Sequence, residues 1–230
     1  MSRENPTWGV RRIRDELALL GHELSLATVW KYVDRSRKPP SQTWRTFLEY
    51  HSHEIVAIDF FTVPTAMFNI LYCFIVLEHS RRKILHFNVT ENPTAEWTAL
   101  QIVQTFPWDT APRFLLRDND GTYGEYFSRR VKAMGIEEVK IAPYSPWQNP
   151  FAERVIGTVR RDCLDRMIIL NERHLRRILK EYVIYYNEFR PHQSLAGNSP
   201  VPREPQAADE GNVVSIDFLG GLHHRYERVA

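Results

Sequence analysis

The chain has 230 residues, 43% of them hydrophobic, enough for one sizeable core and a small appendage. Its 30 basic and 28 acidic residues nearly cancel to a net charge of +2, but they are unevenly placed. Two cysteines far apart, Cys73 and Cys163, form neither a disulfide framework nor a zinc-ligand spacing, no apolar run reaches the roughly 18 residues of a membrane helix, and the N-terminus has no signal-peptide core.

Residues 7–35 read as two helices. Val10, Ile13, Leu17 and Leu20 follow helical spacing, Gly21 stops the first helix, and Ser25 suits the N-cap of the second. Leu26, Val29 and Val33 form an apolar stripe that leaves Thr28, Lys31, Tyr32 and Arg35 outward. A helix, a glycine turn and a helix showing polar and basic side chains resemble a helix-turn-helix unit, here the end of a larger domain. Residues 36–53 read as a basic linker, with Arg37, Lys38 and Arg45 and the helix-breaking pair Pro39-Pro40.

Strands are expected at residues 54–63, 68–77 and 83–89, in an antiparallel meander. On the first, Ile55, Ala57, Asp59, Phe61 and Val63 share one face and Val56, Ile58 and Phe60 the other. Asp59 thus sits inside a strand that is apolar on both faces, where a carboxylate without a partner costs several kcal/mol. A helix over 94–106 should align Trp97, Leu100 and Val103. A short strand over 113–117 then opens into Asp118-Asn119-Asp120-Gly121, the kind of strand end where open α/β sheets place their sites. A helix over 123–134 and a strand over 137–141 follow.

The stretch from Ala142 to Arg161 is loop first, with Pro143 and Pro146, and then helix. Asn149 fits an N-cap, Pro150 the first helical position, and Glu153 the first turn, where a carboxylate is favoured. Glu153, Ile156, Gly157, Arg160 and Arg161 share a helical face. A further helix over 171–187 buries Leu175, Ile178, Leu179, Tyr182 and Tyr186, and residues 201–230 read as a loose tail with a strand-like stretch at 213–219.

Three acids stand out: Asp59, Asp118 and Glu153, the last two separated by 34 residues. Together with Ile58-Asp59-Phe60, Arg117-Asp118-Asn119-Asp120-Gly121, the run from Ser145 to Arg154, Arg160 seven positions after the glutamate, and Tyr186-Asn187-x-x-Arg190-Pro191-His192, the sequence resembles the retroviral-integrase-like DDE transposases of bacterial insertion sequences. The resemblance covers residues 54–200. It implies an RNase H-like α/β fold: a mixed five-stranded sheet, three strands antiparallel and two parallel, with helices on both faces. It implies that Asp59, Asp118 and Glu153 are catalytic and bind two Mg²⁺ or Mn²⁺ ions, which suit carboxylate ligands. It also implies phosphodiester cleavage and strand transfer on double-stranded DNA, both element ends and target, by a homo-oligomer in a bacterial cytoplasm at the nucleoid, with no membrane partner. Arg154, Arg160 and Arg161 would grip the DNA backbone, Gln148 and Asn149 would touch bases or the flanking strand, and Thr28, Lys31 and Arg35 would bind DNA from the helix-turn-helix segment. A catalytically inert DNA-binding remnant and a metal-dependent nuclease of the same fold are the competing readings. Of the two aspartates in Asp118-Asn119-Asp120, Asp118 is the expected ligand and Asp120 the turn former.

Overall fold

The computed structural model describes residues 1, 8–33, 42–107, 110–142 and 148–229. The chain divides into two compact units, Met1–Thr46 and Phe47–Ala230.

In the first unit, α1 (Val10–Leu19) and α2 (Leu26–Tyr32) pair through the buried Ile13 and Val29. Gly21, at φ +85°, turns the chain between them, and the Ser25 hydroxyl accepts from Thr28 N at 3.1 Å as the N-cap of α2. The apolar stripe is narrower than expected. Leu20 and Leu26 are exposed, and Val33 is extended rather than helical. Arg35, Arg37, Lys38 and the Pro39-Pro40 pair lie outside the described residues. The second half of the stretch expected to be linker is helix α3 (Gln42–Tyr50). Its end is fixed by packing: Phe47 and His51 set ring edges on Phe114, with centroids 5.1 and 5.0 Å away.

The second unit is built on one sheet of β1 (Ile55–Pro64), β2 (Ile70–Glu78), β3 (Ile84–Thr90), β4 (Phe114–Arg117) and β5 (Glu137–Lys140), in the order β3-β2-β1-β4-β5. The first three strands pair antiparallel, and β4 and β5 run parallel to β1. The longest strand, β1, is central, which explains the apolar residues on both its faces. One face packs on α4 (Ala95–Thr105) and α5 (Glu125–Ala133): Val56, Ile58, Phe74 and Leu115 meet Ala99, Ile102, Phe127 and Val131 in a closed cluster. The other face carries the buried Ile55, Ala57, Phe61 and Cys73, and α6 (Pro150–Asp162) and α7 (Glu172–Ile184) contact β1 and β3. The mixed five-stranded sheet with helices on both faces is thus as expected.

The buried face of α4 is not the expected one. Leu100 points outward, while Thr98, Ala99, Gln101 and Ile102 are buried. Gln101 is tolerated because Asn88 donates to its side-chain oxygen at 2.6 Å and the His86 ring lies 3.0 Å from it. The C-terminal segment is not a loose tail either. Strands β6 (Asn212–Phe218) and β7 (His223–Val229) form an antiparallel hairpin through a turn in which Leu219, Gly220 and Gly221 all have positive φ. The hairpin is seated by long-range contacts. His223 stacks on Tyr185 at 4.5 Å, its Nε2 lies 2.8 Å from the Asp162 carbonyl, and Leu219 N donates to Glu181.

Asn187 closes the sheet edge in place of a sixth strand. Its amide donates to the Ile84 carbonyl at 2.9 Å and its oxygen accepts from Ile84 N at 3.0 Å. Replacing Asn187 with Ala leaves both backbone groups of Ile84 without these partners in a buried place. The expected cost is about 2 kcal/mol, a fall in melting temperature of roughly 4–8 °C for a chain of this size. A calorimetric loss under 1 °C would remove this clamp from the account of the fold.

Candidate functional site

Asp59 and Asp118 meet because of strand register. In the parallel pair, Ala57 lies opposite Leu116, so the chain two residues further on brings Asp118 level with Asp59. Glu153 comes from above the sheet. Helix α6 is laid along β1, with Asn149 Nδ2 3.5 Å from the Ile58 carbonyl and Arg160 donating to the Thr62 carbonyl at 3.0 Å. Glu153 sits one turn past Asn149, exposed, in the first turn of α6.

The electrostatics show that the acids feel one another. The Asp59 carboxyl is pushed up from its ordinary 3.8 to about 7, first by burial and then by the charge of Glu153. Asp118 and Asp120 add to the rise, against one opposing hydrogen bond, from Phe60 N at 2.8 Å. Asp118 is also raised, by burial first, although Asp120 N donates to it at 3.3 Å and Arg117 is near. Among the described residues no ion pair forms to Asp59, Asp118 or Glu153, and no three His, Cys, Asp or Glu side chains converge closely enough to hold a metal. The donor set still fits a hard divalent cation. Two half-buried carboxylates and an exposed one, mutually repelling and unpaired, are oxygen ligands lacking a positive charge.

Two neighbours, Arg117 and Tyr123, were given no role from the sequence. Arg117, 1% exposed, is tied to Glu138 at 2.7 Å and donates to the Asp118 carbonyl at 2.8 Å, so it fixes the backbone that carries Asp118. Its guanidinium carbon lies 4.8 Å over the ring of Tyr123. Tyr123 is buried beside Asp59 and Asp118, its hydroxyl has no hydrogen-bond partner among the described residues, and burial with these two charges drives its pKa upward. Tyr123 precedes α5 rather than opening it, and a tyrosine five residues after Asp118 was the available signal. Asp120 behaves as a turn former: its carboxylate accepts from Thr122 N at 2.8 Å and from the Thr122 hydroxyl at 2.7 Å.

The expected DNA-contacting residues separate. Arg154 and Arg161 are exposed on α6, and the Arg161 guanidinium folds back to Gly157, where an added Cβ would meet it at 3.1 Å. The space that Gly157 leaves is therefore occupied from within the helix. Arg160 is turned to β1, bonded to Thr62 and placed 5.6 Å over the Phe61 ring. Asn149 stands at the N-cap of α6 but makes no capping bond. It is 3% exposed and directed at Ile58, so it offers nothing to a base, and its side-chain oxygen has no partner among the described residues. Gln148 spends its side-chain oxygen on Ala142 N at 2.7 Å, bracing the loop ends. Residues 143–147, which carry Pro143, Pro146 and Trp147, lie outside the described residues, as does Arg35. Thr28 and Lys31 are exposed on α2, with Thr28 in the cap of that helix.

Residues 134–200 match the family model of the integrase core domain. A 39.2 kDa protein of insertion element IS476 from Xanthomonas euvesicatoria is 21% identical over 190 residues, 82% of this chain and 55% of that protein. The chain therefore spans about half the length of this relative. Among solved structures, the catalytic domain of Mos1 mariner transposase superposes with a TM-score of 0.53 at 14% identity, over 70% of this chain and 83% of that one. A chain of the simian T-cell lymphotropic virus intasome, solved with PP2A regulatory subunit B56 gamma, gives 0.52 at 13% identity, over 93% and 82%. The fold is that of the RNase H-like integrase catalytic cores, and the likeness to retroviral-integrase-like transposases of insertion sequences, read from the sequence, is borne out by family model, relative and fold together.

Proposed function

We propose that the chain is the catalytic part of a DNA transposase that cuts phosphodiester bonds at element ends and joins them to target DNA. The observation that supports this reading is that Asp59, Asp118 and Glu153, carried by three separate elements, lie near enough for the charges of Glu153 and Asp118 to add to the burial that raises the Asp59 carboxyl. Asp59, Asp118 and Glu153 would hold two Mg²⁺ or Mn²⁺ ions, which when bound activate the incoming oxygen and stabilise the leaving one. The chain's own contribution is placement. The β1–β4 register fixes the two aspartates, Arg117 anchors the backbone of Asp118, and Arg160 ties α6, which carries Glu153, to β1. Tyr123 is buried nearby, its ring packed against Phe60 and Phe127. The reaction is hydrolysis that frees a DNA 3′-hydroxyl, followed by attack of that hydroxyl on a target phosphodiester. Duplex DNA is the partner, a second copy of the chain is expected on it, and Arg154 and Arg161 are placed to meet phosphates. Among the described residues no helix is long and apolar enough to cross a membrane.

The test is a strand-transfer assay with labelled element ends, Mg²⁺ and supercoiled target, using the wild-type protein and Glu153→Gln. Joined product from the wild type and none from the variant is the expected result. Cleavage without joining would make the protein a nuclease, and duplex binding with neither reaction would make it an inert remnant.

The choice between the neighbouring aspartates is also measurable. Asp118→Asn should abolish cleavage and leave the fold intact, because one repelling charge is gone. Asp120→Ala should keep much of the activity and lose about 1 kcal/mol of stability with its two Thr122 bonds. A dead, stable Asp120→Ala beside an active Asp118→Asn would show the assignment to be reversed.

Asp59 makes a pH prediction that needs no activity. Its folded pKa of about 7 exceeds the ordinary 3.8, so between those values the folded chain holds a proton that the unfolded chain has released. Metal-free stability therefore falls as pH rises through that window. Asp59→Asn should melt several degrees above wild type at pH 8 without Mg²⁺ and match it near pH 4. Mg²⁺ should narrow the gap at pH 8 by stabilising wild type alone. A difference between the two proteins that does not vary with pH would contradict the buried, repelled carboxyl.

A further inference from the structure

A second polar cavity lies beside α6, separate from the acids. It has a volume of about 560 Å³, and none of Asp59, Asp118 and Glu153 lines it. Four of its walls are guanidinium groups: Arg82 from the turn between β2 and β3, Arg154 and Arg161 from α6, and Arg190 from the stretch after α7. His192 lines it too, 8% exposed, with Nε2 lacking a hydrogen-bond partner among the described residues. No carboxylate is among the lining residues. Asp162 accepts from Arg190 Nε at 2.9 Å and offsets one of the four charges.

The cavity gathers cationic groups without full compensation. Arg82 has a positive φ of 60°, a strained backbone for a side chain of its size. Its guanidinium is held over the Phe151 ring at 4.3 Å, and its Nε is buried without a hydrogen-bond partner among the described residues. Burial and the neighbouring Arg154 both push its pKa downward, the mark of like charges held together without compensation. Leaving a buried N–H unmade and packing cations side by side both cost stability. An anion with several acceptor oxygens removes both costs.

We infer that this cavity is a phosphate-binding site, with Arg82, Arg154, Arg161 and Arg190 as its donors. Guanidinium forks suit the paired oxygens of a phosphate, and the volume admits a phosphate with its flanking sugar. The group comes either from the backbone of bound DNA or from a free phosphate compound. The DNA source rests on the transposase reading; phosphate binding itself does not.

The test uses the full chain with two probes. The first is inorganic phosphate, with chloride and acetate at equal ionic strength as controls. About 10 mM phosphate should raise the melting temperature of the wild type by about 3 °C over both controls. Arg82→Gln should lose that shift, and so should Arg154→Gln, an exposed change on α6 that leaves the core untouched and keeps the test valid if Arg82→Gln fails to fold. The second probe is duplex DNA titrated at several salt concentrations. A salt slope shallower by about one unit in Arg154→Gln and Arg82→Gln than in Glu153→Gln assigns the site to a DNA phosphate. An unchanged slope, with the phosphate response still lost in the variants, assigns it to a free phosphate compound. Glu153→Gln should keep the full phosphate response, so a dead strand-transfer assay does not count against this site. Equal shifts with phosphate and acetate, or a phosphate shift that survives in Arg154→Gln, would overturn the inference.

Discussion

The constraint on which the second unit depends is the placing of a carboxylate on the central strand of an apolar sheet. Asp59 lies between Ile58 and Phe60, each facing the cluster formed with α4 and α5, while its own face carries Ala57 and Phe61. Among the described residues, the backbone N–H of Phe60 is the group that stabilises a negative charge there. The sheet holds it there because β1 is paired with β2 over nine residues, Asp59 among them, and with β4 over three at its start. A strand so firmly paired cannot turn its odd residues outward without exposing every apolar residue on the same face. The repulsion among the acids is therefore carried by the sheet, which is the arrangement a preorganised site needs.

Helix α6 serves two polar regions at once. Its buried stripe of Ala152, Val155, Ile156 and Val159 fixes its rotation. That rotation sends Glu153 and Arg160 toward β1, and Arg154 and Arg161 toward the cavity lined by Arg82 and His192. A helix turn takes 3.6 residues, so one buried stripe leaves room for polar groups on both of its flanks. The arginines that looked like a single grip in sequence are thereby divided between two tasks. Arg160 ties the helix to the strand and Arg161 lies across Gly157.

Local patterns carried most of the fold and missed what long-range contacts decide. The five strands of the sheet and the acids on them were legible because a period of two places Asp59 against its neighbours, and because β4 ends where Asp118 begins. The helix α3 was hidden because Pro39-Pro40 and the basic residues around it dominate the composition there. Its anchor, Phe114, lies 67 residues beyond Phe47 in the chain. Strand β6 was legible as the strand-like stretch at 213–219, but its partner β7 and the seating of the hairpin were hidden for the same reason: a Pro- and Gly-rich tail reads as irregular, and Tyr185, Glu181 and Asp162 reveal what holds it. Asn149 has the right residue type for a cap, yet the Ile58 carbonyl lay within its reach. Leu100 fitted a helical stripe, but Gln101 had partners on β3 and took the buried place.

The stretch from Tyr186 to His192 shows why a motif can be structural and functional together. Asn187 closes the edge at Ile84, Arg190 is tied to Asp162 at the end of α6, and the His192 ring sets its edge against Tyr186 at 4.8 Å. The last two contacts hold Arg190 and His192, which line the cavity together with Arg82 and Arg154. Were Arg190 free, its side chain would swing away from three like charges, and the cavity would lose a donor before any anion arrived. With Asp162 holding its Nε, the remaining amino groups stay near the cavity at no further entropic cost on binding. The clamp on the sheet edge, the tie to the end of α6 and the ring contact on Tyr186 thus come from three residues within six positions of one another.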